Sequence, residues 1–155
     1  MSRSRFIVST ALAAMLFALP AIAQEKKVQK ADLPAAVQKT VDEQSQGATV
    51  RGYSTEMENG KINYEAQLTV NGKTRDISMD ANGVITEIED QVDFAALPDA
   101  VQAGLKKKAG AGKILKVESL TKKNKIVAYE AVVETEGKKK EVQVGPDGKP
   151  LAHEE

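Results

Sequence analysis

The sequence predicts an α+β fold, a tandem repeat of one helix packed on a three- to four-stranded antiparallel sheet. Three observations predict it. The stretch from Ile62 to Gly83 (INYEAQLTVNGKTRDISMDANG) returns 65 residues later as Val127 to Gly148 (VAYEAVVETEGKKKEVQVGPDG). Within each copy apolar and polar residues alternate, the period of a strand with one buried face. Ahead of each copy stands the same helix opening, Leu33-Pro34-Ala35-Ala36-Val37-Gln38 and Leu97-Pro98-Asp99-Ala100-Val101-Gln102.

Pro34 suits a first helical position, and Leu33, Val37 and Val41 fall four apart on one face, as do Leu97, Val101 and Leu105. A glycine follows each helix (Gly47, Gly112), and then strands are predicted over residues 48–57 and 113–121. Asn59-Gly60 and Asn124-Lys125 turn the chain into the next strand. There Ile62, Tyr64, Ala66, Leu68 and Val70 share a face, matched by Val127, Tyr129, Ala131 and Val133. Asn71-Gly72 and Glu136-Gly137 lead into a third strand carrying Ile77 and Met79, or Val142 and Val144. Asn82-Gly83 and Asp147-Gly148 end it, and a fourth strand, 84–89, is predicted in the first copy only. Tyr64, Glu65, Ala66, Gly72, Lys73 and Gly83 return unchanged as Tyr129, Glu130, Ala131, Gly137, Lys138 and Gly148, so one turn geometry and one strand register serve both copies. Repeat 1 is assigned to residues 33–90 and repeat 2 to 91–155. No Gly/Pro/Ser linker divides them, and Val92 and Phe94 are expected to seal the junction.

The first 23 residues have the order of a secretory signal peptide. Arg3 and Arg5 precede a fourteen-residue, mainly apolar run, Phe6 to Leu19, and then Pro20 and Ala21-Ile22-Ala23 before Gln24. The run is shorter than the roughly 20 residues that span a bilayer, so cleavage at about Ala23/Gln24 is expected rather than stable membrane insertion. The protein is then periplasmic or secreted. Residues 24–32, polar and without period, read as a flexible leader. The absence of cysteine excludes a disulfide framework and a lipid-anchoring thiol.

Cleavage removes two of the 22 basic side chains and none of the 22 acidic ones, leaving a net charge of −2. Nucleic-acid binding is not expected of a nearly neutral exported chain with three Phe, three Tyr and no Trp. Catalysis lacks its parts: the one histidine is His153, and there is no cysteine nucleophile, G-x-S-x-G or phosphate loop. No catalytic residue, cofactor or metal is therefore assigned. Asp80-Ala81-Asn82-Gly83 resembles the start of a calcium loop, but Val84 and Ile85 stand where further oxygen ligands belong, and the stretch reads as a turn.

The LPxAV helix, the YEA strand and the closing D-x-N-G or P-D-G turn, each present twice between Leu33 and Leu151, resemble the PepSY-like proteins, which share a fold with the β-lactamase inhibitor protein (BLIP). The resemblance implies a small exported α+β module that binds or restrains a protein such as a peptidase. It carries over no catalytic residue, and the lack of cysteine and scarcity of aromatics depart from the inhibitor.

With a helix on one face of the sheet, the other is left wet. That open face is the expected protein-binding surface, large enough for the roughly 800 Å² per partner of a specific interface. Its candidates are Glu65, Gln67 and Asp76 in the first copy and Glu130, Val132 and Glu141 in the second. Tyr53 joins them on the expectation that Val50, Gly52 and Ser54 point inward and the ring outward. The alternative is a small ligand or ion held in a groove between the repeats.

Overall fold

The structure is a computed structural model describing residues 25–155 apart from Asn59, Glu154 and the Glu58 side chain; the predicted signal peptide and cleavage site lie outside the described residues. The elements run β1 (Lys26–Val28), α1 (Ala35–Gln44), β2 (Thr49–Glu58), β3 (Lys61–Val70), β4 (Lys73–Met79), β5 (Ile85–Gln91), α2 (Asp99–Ala109), β6 (Lys113–Lys122), β7 (Lys125–Thr135) and β8 (Lys138–Val144).

All eight strands belong to one antiparallel sheet, ordered as in the chain. This corrects the predicted tandem repeat of a helix on a three- to four-stranded sheet: the described residues are mostly one continuous sheet, with two α-helices. The overturning contact is between β5 and β6, where Ile88, Glu89, Asp90 and Gln91 pair with Thr121, Leu120, Ser119 and Glu118. Two separate sheets would each leave a raw edge of unpaired backbone groups here, and pairing them satisfies both. The 24–32 stretch also differs from expectation. Lys26–Val28 is strand β1, paired with Tyr53–Thr55 at the sheet edge, and Lys30–Asp32 is a 3-10 turn tied back to α1 by the ion pair of Lys30 with Asp42.

Both helices cover one face. The cross-strand row Leu68, Arg75, Asp90, Ser119, Tyr129, Val144 runs through six strands on that side. α1 buries Val37 and Val41 against Ala66, Leu68, Ile77 and Met79. α2 buries Val101, Leu105 and Ala109 against Val117, Ala131, Val133, Val142 and Val144, with Val92 and Phe94 packed beside them. Each LPxAVQ motif has a polar role as well: the Gln38 and Gln102 side-chain amides donate to the Leu33 and Leu97 carbonyls at 2.8 and 2.9 Å. Pro34 and Pro98 stand just before the first helical residue.

The turns after β4 and β8 meet the helices. Thr40 Oγ1 donates to the Gly83 carbonyl at 2.8 Å. At Gly148 φ is +75°, and a Cβ there would overlap the Ala100 carbonyl of α2, so only glycine allows both the turn and the close approach. Asp80 closes its own turn, its carboxylate accepting from the Asn82 and Val84 amides at 2.9 and 3.0 Å. Those backbone bonds hold its pKa below the usual carboxylate range.

Candidate functional site: the open sheet face

Opposite the helices, two rows of paired residues cross the middle of the sheet. One is Gln67, Asp76, Glu89, Leu120 and Ala128, from β3 to β7. The other is Gln91, Glu118, Glu130 and Gln143, from β5 to β8. A hollow of about 710 Å³ lies over part of them, at Glu89, Leu120, Glu130 and Gln143. Glu65, Glu87, Glu89, Glu130 and Glu141 line it, with Leu120 and Lys122.

The chain's own cations enter this face from its sides. At a bulge between Val50 and Gly52 the extra residue, Arg51, donates from Nε to the Leu68 carbonyl at 3.1 Å and pairs through its guanidinium with Asp76. Lys116, which follows the equivalent bulge in β6, reaches Glu118 at 2.8 Å. Lys122 bridges Glu87 at 3.2 Å and Glu155 at 3.0 Å. Glu87 Oε2 is buried, and the ammonium beside it stands at an angle that makes an ion pair without a hydrogen bond.

Between these flanking pairs is a middle zone without cations. The Glu65 carboxylate accepts from the Gln67 amide and that of Glu130 from the Gln143 amide, each at 2.8 Å. Glu89 has no hydrogen-bond or ion-pair partner among the described residues. Its carboxyl oxygen lies within 4.8 Å of those of Asp76 and Glu118, and the Glu118 side chain is only 4% exposed. Burial, then the nearby carboxylates of Glu130, Glu87, Glu118 and Glu65, pushes the Glu89 pKa up to about 8. Burial likewise raises Glu65, Asp76 and Glu130, opposed by the Gln67 amide, Arg51 and the Gln143 amide in turn. The half-buried carboxyls on β3, β4, β5 and β7 are thus each harder to ionise than in free solution.

Six of the seven sequence candidates lie on this face. Glu65, Glu130 and Glu141 line the hollow, while Gln67, Asp76 and Val132 sit beside it, Val132 directly across from Glu141. Tyr53 does not. It pairs with Ala66 and packs against the α1 core, because the bulge at Arg51 shifts β2 by one residue and turns the ring to the helix side. Sequence reasoning missed Glu87, Glu89, Glu118 and Leu120. Strict alternation offers no warning of Leu120, a leucine on the open face that is buried to 1%. Glu87 and Glu89 do carry a signal, two acids at strand spacing, hidden by a further irregularity between Ser78 and Met79.

Three solved structures share this architecture. A BLIP-like protein from Bacteroides fragilis is 21% identical, with a TM-score of 0.55 over 77% of this chain and 83% of its own. A DUF2874 family protein from Bacteroides ovatus is 18% identical, with a TM-score of 0.58 over 77% and 84%. A Bacteroides eggerthii protein, provisionally described as periplasmic, is 15% identical, with a TM-score of 0.61 over 77% and 86%. The fold is that of BLIP-like proteins. No protein-family model matches the chain. No curated protein matches it in sequence.

Proposed function

We propose that this chain is an exported, noncatalytic binding module of PepSY-like type that engages a protein, such as a peptidase or hydrolase, through the open face of its sheet. The observation that carries the reading is the asymmetry of the sheet: two helices seal one side with apolar packing, and the other holds a broad hollow walled by carboxylates. A folding module has no internal need of that second side, since buried acids cost stability unless they are paired. The noncatalytic part of the reading rests on the residue inventory, with His153 outside the lining of the hollow and no cysteine. Export to the periplasm or medium rests on the N-terminal sequence, and the description of the B. eggerthii neighbour agrees with it. Among the described residues no helix is long and apolar enough to cross a membrane.

A second reading, a small ligand or ion held between the sequence copies, is favoured by the close approach of the Asp76, Glu89 and Glu118 carboxylates. It would sit at the margin of the same hollow, which Glu89 lines, because β5 and β6 pair directly and the hollow spans both halves. The deciding experiment is capture from a periplasmic extract by the mature protein and, in parallel, by Glu65→Arg/Glu130→Arg. A partner retained by the parent and lost by a variant of unchanged melting is expected. Equal recovery by both would place binding elsewhere.

A further inference from the structure

Resting on that reading, we propose that the occupant of the open face is a cationic protein segment, with lysine or arginine side chains that enter the zone around Glu65, Glu89 and Glu130.

The first argument is charge complementarity. The mature chain is nearly neutral, yet the lysine triplet Lys106 to Lys108 lies on α2, on the opposite side of the sheet, while acids converge on the open face. Arg51, Lys116 and Lys122 already show how a cationic side chain fits here: each enters over the strands and ends on a carboxylate. The three glutamates between them have no cation within ion-pair distance among the described residues. They stand on β3, β5 and β7, and strands two apart in a sheet are separated by about 10 Å. An extended segment crossing the strands covers that distance in about three residues.

The second argument comes from the floor of the hollow. Leu120 pairs with Glu89 on one side and Ala128 on the other, so a buried apolar strip adjoins the carboxylates. Leu120 and Ala128 are fully buried, so an unpaired negative charge beside them is costly, and an incoming lysine or arginine head would offset that cost. A bare divalent ion would compete for Asp76 and Glu118 with Arg51 and Lys116, which already hold them.

The test uses the mature protein and a labelled octalysine peptide, with octaglutamate and a neutral Gly-Ser peptide as comparisons and calcium chloride as the metal arm. Octalysine should bind saturably, more weakly as salt rises. Its affinity should fall at least about tenfold in Glu65→Gln/Glu89→Gln/Glu130→Gln and stay within about twofold in Glu43→Gln/Asp99→Asn, which removes acids from the helices, if the face carries the charge-specific contacts. Equal losses in both variants would mean that octalysine reads overall charge, and the inference would fall. A Gly-Ser peptide held as tightly as octalysine, and lost in the triple variant, would leave the open face as a protein-binding surface but overturn its cationic specificity. Saturable calcium binding that Glu89→Gln abolishes, with no binding of octalysine, would give the site to a metal ion and overturn both. Should the triple variant fail to fold, Glu89→Gln alone is measured, with a loss of at least about threefold expected and no loss counting against the inference.

Discussion

Replacing Glu89 by Gln isolates the cost of keeping an acid in the middle of the open face. The folded protein holds the Glu89 proton up to about pH 8, whereas the unfolded chain releases it near the ordinary 4.5. Between those values the unfolded state binds fewer protons, so this group makes stability fall as pH rises. Below about 4.5 both states are protonated and there is no penalty; above about 8 the penalty is complete. At about 1.4 kcal/mol per pH unit the interval sets a ceiling of about 5 kcal/mol, and local relaxation should bring the realised cost to about 2 to 4 kcal/mol. Glutamine keeps the shape without the charge. Urea unfolding followed by circular dichroism should therefore find Glu89→Gln within about 1 kcal/mol of the parent at pH 4.5, and more stable by about 2 to 4 kcal/mol at pH 9. Parallel stability curves across that range, or a variant less stable at pH 9, would refute the assignment of Glu89 as a half-buried, uncompensated carboxyl.

Leu68 and Val133 are both fully buried under their helices; changing them to Ala should cost about 2 to 4 and about 1 to 3 kcal/mol in the same assay. Gly148→Ala should destabilise by about 2 kcal/mol or more, because the new Cβ meets both a positive φ and the Ala100 carbonyl, and thermal unfolding would register it. Tyr53→Ala should now lower stability, by about 2 kcal/mol, since the ring packs on the α1 core; unchanged melting with lost partner binding would return it to the open face. N-terminal sequencing of the exported protein should begin at Gln24, and an intact Phe6–Leu19 run would contradict cleavage.

Local signals were legible in the sequence. The alternation from Tyr64 to Leu68 places Ala66 and Leu68 in the core and Glu65 and Gln67 on the open face, as the pairing with Ile77, Ser78 and Asp76 shows. The turn at Asn71-Gly72 has both residues at positive φ, as does that at Glu136-Gly137, in keeping with their equivalent places in the two copies. What failed was any inference that needed alternation to run through a bulge. One extra residue at Arg51 reversed the side on which Tyr53 lies. The joining of the strands into one sheet was illegible for another reason: β5 and β6 meet through backbone groups, which every residue supplies alike. That pairing is also what brings Glu89 beside Glu118, so the carboxylate group at the heart of the site has no motif to announce it. Its members come from strands that nothing in their spacing connects.

The open face, with Glu65, Glu89 and Glu130 at its middle, is where we propose that this protein meets a cationic segment. Backbone amide chemical shifts of the mature protein, followed as octalysine is added, test it most directly. Changes should saturate together and concentrate on the strands beneath the hollow, around Glu65, Glu89, Leu120 and Glu130, with α1 and α2 nearly unmoved. Changes centred on the helices, or on the acidic turn at Asp80 to Gly83, with the middle of the sheet unaffected, would contradict it.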